Sequence, residues 1–202
     1  MQKLCLMGIE TAPYDLIDGQ DARDLVGLTV AMRHFDTVIH LASNADISAA
    51  TKCPTLDFDC GTVITQTVVE ACRLSGVQNI VYFSGSGVYP DSGTKPLGES
   101  EGPLMASSPY GASKIAGEAL VSAYCHMFGM RGIVLRPANI VGSDQTHGVG
   151  YDFISKLRKD PERLEILGDG TQSKAYIAVS DVIRAIFVAL EKCQNPYSVL
   201  NV

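Results

Sequence analysis

Ser107-Ser108-Pro109-Tyr110-Gly111-Ala112-Ser113-Lys114 starts a helix on local chemistry alone. Ser108 is a good N-cap, and Pro109 suits the first helical position. The run continues through Ile115, Ala116, Gly117, Ala119, Leu120 and Val121 to Gly129. Tyr110 and Lys114, four residues apart, then share one helix face. A fixed ammonium beside a phenol favours the phenolate, so the spacing predicts a Tyr110 pKa lowered towards working pH. Such a phenol is a general base for a hydroxyl proton. A bare Tyr-x-x-x-Lys is a weak pattern, matched by many helices with a surface tyrosine and a solvated lysine. The segments on either side give it weight.

Apolar runs that read as buried strands lie at Lys3 to Ile9, Asp36 to Ala42, Asn79 to Phe83 and Ile133 to Leu135, with shorter ones at Tyr14 to Ile17, Leu164 to Leu167, Lys174 to Val179 and Tyr197 to Val202. Helical periodicity falls between them. Leu25, Leu28 and Met32 share a face, as do Ile64, Val68, Ala71 and Cys72 before Gly76. Further helices are expected around Tyr151 to Arg158 and after Ser180. Strands alternating with helices imply an α/β fold, a parallel sheet with helices on both faces. Ligands of such sheets bind beyond the strands' carboxyl ends, where Ser43, Ser84 to Gly87 and Asn139 fall.

At 202 residues and a mean hydropathy of +0.13, the chain has the composition of a soluble globular protein with one sizeable core. A net charge of -6 argues against a broad nucleic-acid surface. No apolar run approaches the roughly 18 residues of a membrane span, and no signal-peptide pattern is present. The six cysteines form no Cys-x-x-Cys pair or zinc spacing, so no metal and a reduced, cytoplasmic setting are expected.

In this order, the segments resemble the extended short-chain dehydrogenase/reductase family, and within it the NAD-dependent epimerases and dehydratases of nucleotide sugars. The resemblance rests on Asp21-Ala-Arg-Asp24, Asp36 to Ala42, Gly61-Thr62 with Glu70 to Arg73, Val81 to Tyr89, Ser108 to Lys114, Arg136 to Gly142, Thr146 to Leu157 and Leu164 to Asp181. The last four look most like UDP-glucose 4-epimerase-type enzymes. The resemblance implies a Rossmann-like NAD-binding domain over 1–142 and part of a substrate lobe over 143–202, interleaved with the last Rossmann elements. It makes Tyr110 the catalytic base and Lys114 the residue that holds the nicotinamide ribose. Asp21 and Ala22 would meet the adenine. Leu41, Ala42, Ser43, Ser84, Pro137 and Ala138 would line the dinucleotide. Asn139 would touch the sugar nucleotide, and Lys174 its diphosphate, where many relatives carry Arg. Lys keeps that charge without the bidentate fork. His147 and Tyr151 read equally as a loop near the nucleotide or as packing at a helix start. The implied chemistry is oxidation of a sugar hydroxyl by NAD+ and return of the hydride to the other face of the ketone. Helices over 60–75 and 109–128 would pair two copies into a homodimer.

The chain also departs from the family pattern. The family places Ser or Thr beside the tyrosine, at the end of the preceding strand. Counting back from Tyr89 puts that position on Gly85, and counting forward from Phe83 puts it on Ser86; either Ser86 or Ser84 supplies the hydroxyl. Relatives usually have Asn before Gly61, where this chain has Asp57, Phe58, Asp59 and Cys60. No Gly-x-x-Gly-x-x-Gly turn, the family's anchor for the pyrophosphate, occurs in this sequence, which is expected to be either a fragment of an epimerase or a shortened homologue without stable NAD binding. Without that strand, turn and helix, two inner strands are expected to lack a partner. A dehydratase is the rival within the family, disfavoured because Ser86-Gly87 stands where dehydratases carry Asp-Glu. A non-catalytic nucleotide-sugar-binding protein is the rival outside it.

Overall fold

Alternation along the strands builds two cores, one on each face of a single sheet. The computed structural model describes residues 8–202 apart from Ala45, Ser92 and Thr94. Four parallel strands pair in the order β1 (Thr37–His40), β2 (Asn79–Phe83), β3 (Arg131–Arg136) and β6 (Tyr197–Asn201). Successive side chains of a strand point to opposite faces. Val38, Ile80, Tyr82, Val134, Tyr197 and Val199 therefore pack on one side, against α1 (Leu25–Met32), α2 (Ile64–Ser75) and α3 (Pro109–Phe128). Ile39, Val81, Phe83, Ile133, Leu135 and Leu200 pack on the other, against Val182, Ile186 and Ala189 of α5 (Val179–Lys192). Two shorter strands, β4 (Asn139–Val141) and β5 (Tyr176–Ala178), form a separate parallel pair, and α4 (Val149–Lys159) lies between them in the chain.

The helix ends follow their capping chemistry. The Ser108 hydroxyl accepts from the Gly111 N–H at 3.1 Å, and Gly129 closes α3 in the left-handed conformation, with φ of 71°. Asp24 caps α1 and Gly76 ends α2. Gly117 is a sequence requirement: a Cβ there would overlap the Tyr82 phenol, so its absence lets α3 lie close over β2.

Three expectations are corrected. Tyr14–Ile17 is not a strand; Leu16–Asp18 is a single 3₁₀ turn capped by the Asp15 carboxylate, and Tyr14 packs against the helical core. Leu164–Leu167 has no ladder partner among the described residues, and Leu167 is exposed. Of the strand expected over Lys3–Ile9, residues 3–7 lie outside the described residues. Where two unpartnered inner strands were expected, the described sheet leaves one. Among the described residues β1 pairs only with β2, and along its other edge runs a groove of about 1010 Å³ lined by Asp21, Ala22, Leu28, Ile39, Leu41 and Ser43, among others.

Candidate active site

The four strands run the same way, so Leu41 to Ser43, Ser84 to Gly87, Pro137 to Asn139 and Val202 emerge along one rim. The first turn of α3 brings Tyr110 and Lys114 to it. Lys114 is buried to 4% exposure. Its Nζ donates to the Phe83 carbonyl at 2.8 Å and lies 5.4 Å from the Tyr110 ring centre and 5.3 Å from that of Tyr82. Burial lowers its pKa to about 8, with the Asp57 charge acting the other way.

The lowered Tyr110 pKa expected from the spacing is not found. Burial, and next the negative charge of Asp57, hold the phenol above its ordinary value, while the Ser43 side chain acts to lower it. Lys114 spends its hydrogen bond on the strand end rather than on the phenol, so burial prevails over the ammonium.

His40 lies beneath this pair, 4% exposed. The Thr65 hydroxyl donates to the Gly61 carbonyl at 2.7 Å, so His40 Nε2, 3.0 Å from Thr65 Oγ1, carries the proton and donates. Burial, reinforced by the Lys114 charge, pulls its pKa down to about 3. The ring is neutral in the folded protein, whereas the unfolded chain takes up a proton below about pH 6.5. Stability from this group is therefore full above pH 6.5 and is lost as pH falls towards 3. Between pH 7 and 5 the expected loss is roughly 2 kcal/mol. Urea midpoints measured across that range should drop less steeply for His40→Gln than for the unaltered chain.

The two candidate serines fall in different places. Ser84 is buried and donates to Glu118 Oε1 at 2.5 Å. Ser86 is exposed at the start of a 3₁₀ turn. The strand-end residue facing the phenol is Gly85: a Cβ built there would have Tyr110 Oη as its nearest neighbour, at 4.0 Å. Neither serine fills that slot, because the chain turns after β2 and sends Ser84 inward and Ser86 outward.

A buried network fixes this rim. Arg136 donates through Nε to Glu118 Oε1 at 2.8 Å and through Nη2 to Oε2 at 2.6 Å. Its Nη1 donates to the Tyr89 hydroxyl at 2.7 Å, and Tyr89 donates onward to Asn201 Oδ1 at 2.8 Å. The ends of β2, β3 and β6 are thus tied to α3 through one carboxylate. Glu118 raises the Arg136 pKa further through this pairing. The sequence reading missed Glu118, Arg136 and His40 as site-shaping groups, and named Asp57 only within a loop that departs from the family pattern. The available signal was the stripe Tyr110, Lys114, Glu118 at four-residue steps on one helix face, with charges where the core should be.

The remaining expected residues spread outward. Asp21, Ala22, Leu41, Ala42 and Ser43 line the groove along β1. The Asp21 carboxylate is already engaged by Arg23 at 2.6 Å and has a pKa of about 2, chiefly for that reason. Pro137 is buried, and the Ala138 N–H donates to Val202. Asn139 donates through Nδ2 to the Ala175 carbonyl at 3.0 Å, tying β4 to the start of β5. His147 and Tyr151 are exposed around the start of α4, and the structure brings neither against Tyr110. Lys174 is exposed, with no hydrogen bond or ion pair to a described residue.

Known proteins match this arrangement. The profile of the NAD dependent epimerase/dehydratase family matches residues 14–202. A putative UDP-glucose 4-epimerase of Methanocaldococcus jannaschii is 31% identical over 166 residues, which is 80% of this chain and 54% of that protein. A UDP-glucose 4-epimerase of Mycolicibacterium smegmatis is 30% identical over 180 residues, 87% of this chain and 56% of that one. The chain thus spans about half the length of these relatives. A crystal structure of a UDP-galactose 4-epimerase superposes with a TM-score of 0.85 at 34% identity, covering 100% of this chain and 71% of that one. The Thermus thermophilus UDP-glucose 4-epimerase in complex with NAD gives 0.82 at 26% identity, covering 100% and 72%.

Proposed function

We propose, on the premise that the chain belongs to the NAD dependent epimerase/dehydratase family, that it interconverts UDP-linked hexoses epimeric at C4, with Tyr110 as the base. The observation that carries this reading is the Tyr110–Lys114 pair on the rim where the strand ends converge. The residues present fit NAD along that rim. The exposed Leu41 and the small Ala42 and Ser43 leave room at the end of β1, beside the groove that holds Asp21 and Ala22. NAD+ bound there would accept a hydride and give it back.

The chain's own residues do the rest. Tyr110 takes the proton from the sugar hydroxyl and returns it after the ring has turned over. Lys114, pinned to the Phe83 carbonyl, keeps a positive charge beside the phenol and has ammonium hydrogens to spare for a ribose hydroxyl. Lys174, unpaired among the described residues, suits a diphosphate, with Asn139, His147 and Tyr151 towards the nucleotide side. The test is conversion of UDP-glucose to UDP-galactose by the purified chain with added NAD+.

One observation favours the alternative, a sugar-nucleotide-binding protein without turnover: glycine at the position facing the phenol. Tight UDP binding with no conversion would establish it. Gly85 decides between the two in another way. Its φ of 176° is extended backbone open to any residue, and its side-chain slot is empty. Gly85→Ser places a donor towards the sugar oxygen, and a charge-assisted hydrogen bond is worth about 2 kcal/mol. Turnover should rise by roughly 30-fold, read from initial rates.

Homodimer formation belongs to the same proposal. Leu74, Met127 and Phe128 are exposed on α2 and α3, with Arg73 over the Phe128 ring at 5.2 Å. Light scattering should give twice the mass of one chain, and Leu74→Glu with Phe128→Glu should halve it.

A further inference from the structure

The chain leaves the rim after Gly85 and comes back to it at Tyr110. A 3₁₀ turn, Ser86–Val88, follows Gly85, and Val88 is fully buried. On the way back the Met105 N–H donates to the Val88 carbonyl at 3.0 Å, and Ser108 then caps α3. The 3₁₀ turn lies directly on the start of α3: a Cβ on Gly111, the residue after Tyr110, would overlap the Gly87 carbonyl oxygen. The distance from the phenol to the slot at Gly85 therefore depends on what holds this turn in place.

Tyr89 holds it. Its N–H closes the turn on the Ser86 carbonyl at 3.2 Å. Its hydroxyl accepts from Arg136 Nη1 at 2.7 Å and donates to Asn201 Oδ1 at 2.8 Å, and the guanidinium carbon lies 4.9 Å from its ring centre. Both partners are themselves fixed. Arg136 is buried and paired with Glu118. The Asn201 N–H donates to Glu99 Oε1 and its Nδ2 to the Leu97 carbonyl, each at 2.9 Å. At the near end of the turn Ser84 donates to Glu118 as well. Both ends of the turn thus lead back to α3, the helix that carries Tyr110, one of them only through the Tyr89 hydroxyl. Tyr89 is half-buried, so phenylalanine would keep its packing and its place over Arg136 and lose only these two bonds.

We propose that Tyr89 is a positioning residue: its hydroxyl holds the Gly85–Val88 turn at the distance from Tyr110 that the reacting sugar needs. This rests on the reading of Tyr110 as the base. A displacement of about 1 Å at a reacting centre costs up to about 10²-fold in rate.

The experiment uses Tyr89→Phe and two readouts. The first is the nuclear Overhauser effect between the Gly85 α protons and the Tyr110 ring protons in the ligand-free chain, a contact expected because a Cβ on Gly85 would lie 4.0 Å from Tyr110 Oη. It should weaken in the variant while the thermal midpoint stays within a few degrees. The second is the initial rate of UDP-glucose conversion with NAD+: kcat should fall by about 10-fold with KM held. An unchanged Overhauser effect would overturn the proposal, as would an unchanged kcat or a loss confined to KM. If Tyr89→Phe does not fold, Asn201→Ala decides. It removes the second tie and leaves Arg136 its acceptors, and the same weakening is expected; an unchanged Overhauser effect there would overturn the proposal. The first readout needs neither NAD nor sugar nucleotide, so its failure is separate from failure of the epimerase reading.

Discussion

Tyr110→Phe should lower the UDP-glucose to UDP-galactose rate by about 10³-fold, within the range for loss of a positioned acid–base group. The change removes one oxygen and leaves the ring in place over the Lys114 ammonium. The thermal midpoint should therefore stay within a few degrees, and the loss should fall on kcat rather than KM. The pH profile has a direction too. Burial and Asp57 hold the phenol above its ordinary value, so the reactive phenolate is scarce at neutral pH and kcat/KM should climb as pH rises. Lys114 opposes this climb once it loses its proton at about 8, because the cation beside the phenol is then gone. Initial rates from pH 6 to 9 for the unaltered chain and for Asp57→Asn check both limbs; the climb should begin earlier in the variant.

Glu118→Ala should destabilise the fold by about 3–5 kcal/mol. The Arg136–Glu118 pair is bidentate, and its side chains are 4% and 6% exposed. Removing the carboxylate strands a buried guanidinium and takes the acceptor from the Ser84 hydroxyl as well. Urea denaturation should show the full loss in the single variant. The double change Glu118→Met with Arg136→Met should recover most of it, because an apolar pair of similar volume avoids the desolvation of two charges. Activity should not recover with it. Tyr89 would lose its side-chain link to β3, and with it the fixed position of the turn at Gly85.

The fold was legible wherever a local signal and the core agreed. Ser108, Pro109 and Gly129 mark both ends of α3, and each does in the structure what its chemistry suggests. Ile80 to Phe83 reads as a strand because its residues are apolar on both sides, and both sides are buried. Tyr14–Ile17 looked like a strand because it is apolar, but Asp15 can cap its own backbone, and Gly19 supplies the left-handed residue that closes the turn. The register of α2 was legible and the turn that leads into it was not: nothing in Phe58–Val63 signals a π-helical turn.

At the site, the sequence brought out Tyr110 and Lys114 but not the balance of forces on them. Spacing places an ammonium near a phenol. It says nothing of whether the ammonium bonds a carbonyl instead, or whether the charge of a carboxylate more than fifty residues earlier acts on the same phenol. The slot opposite the phenol shows the same limit. Counting from the two ends of the segment gave Gly85 and Ser86, and only the direction of the backbone after β2 separates them. Pairing across 18 residues of chain also hid the Glu118–Arg136 contact, although Glu118 shares a face with Lys114.

The central claim is that the phenol and ammonium at this rim move a proton while a hydride leaves and returns at a single carbon. UDP-glucose carrying deuterium at C4, incubated with the purified chain and NAD+, tests it most directly. The expected product is UDP-galactose with the deuterium still at C4, formed by the unaltered chain and absent with Tyr110→Phe. UDP-galactose formed equally well by both, or no product from a folded chain that binds NAD+, would contradict it.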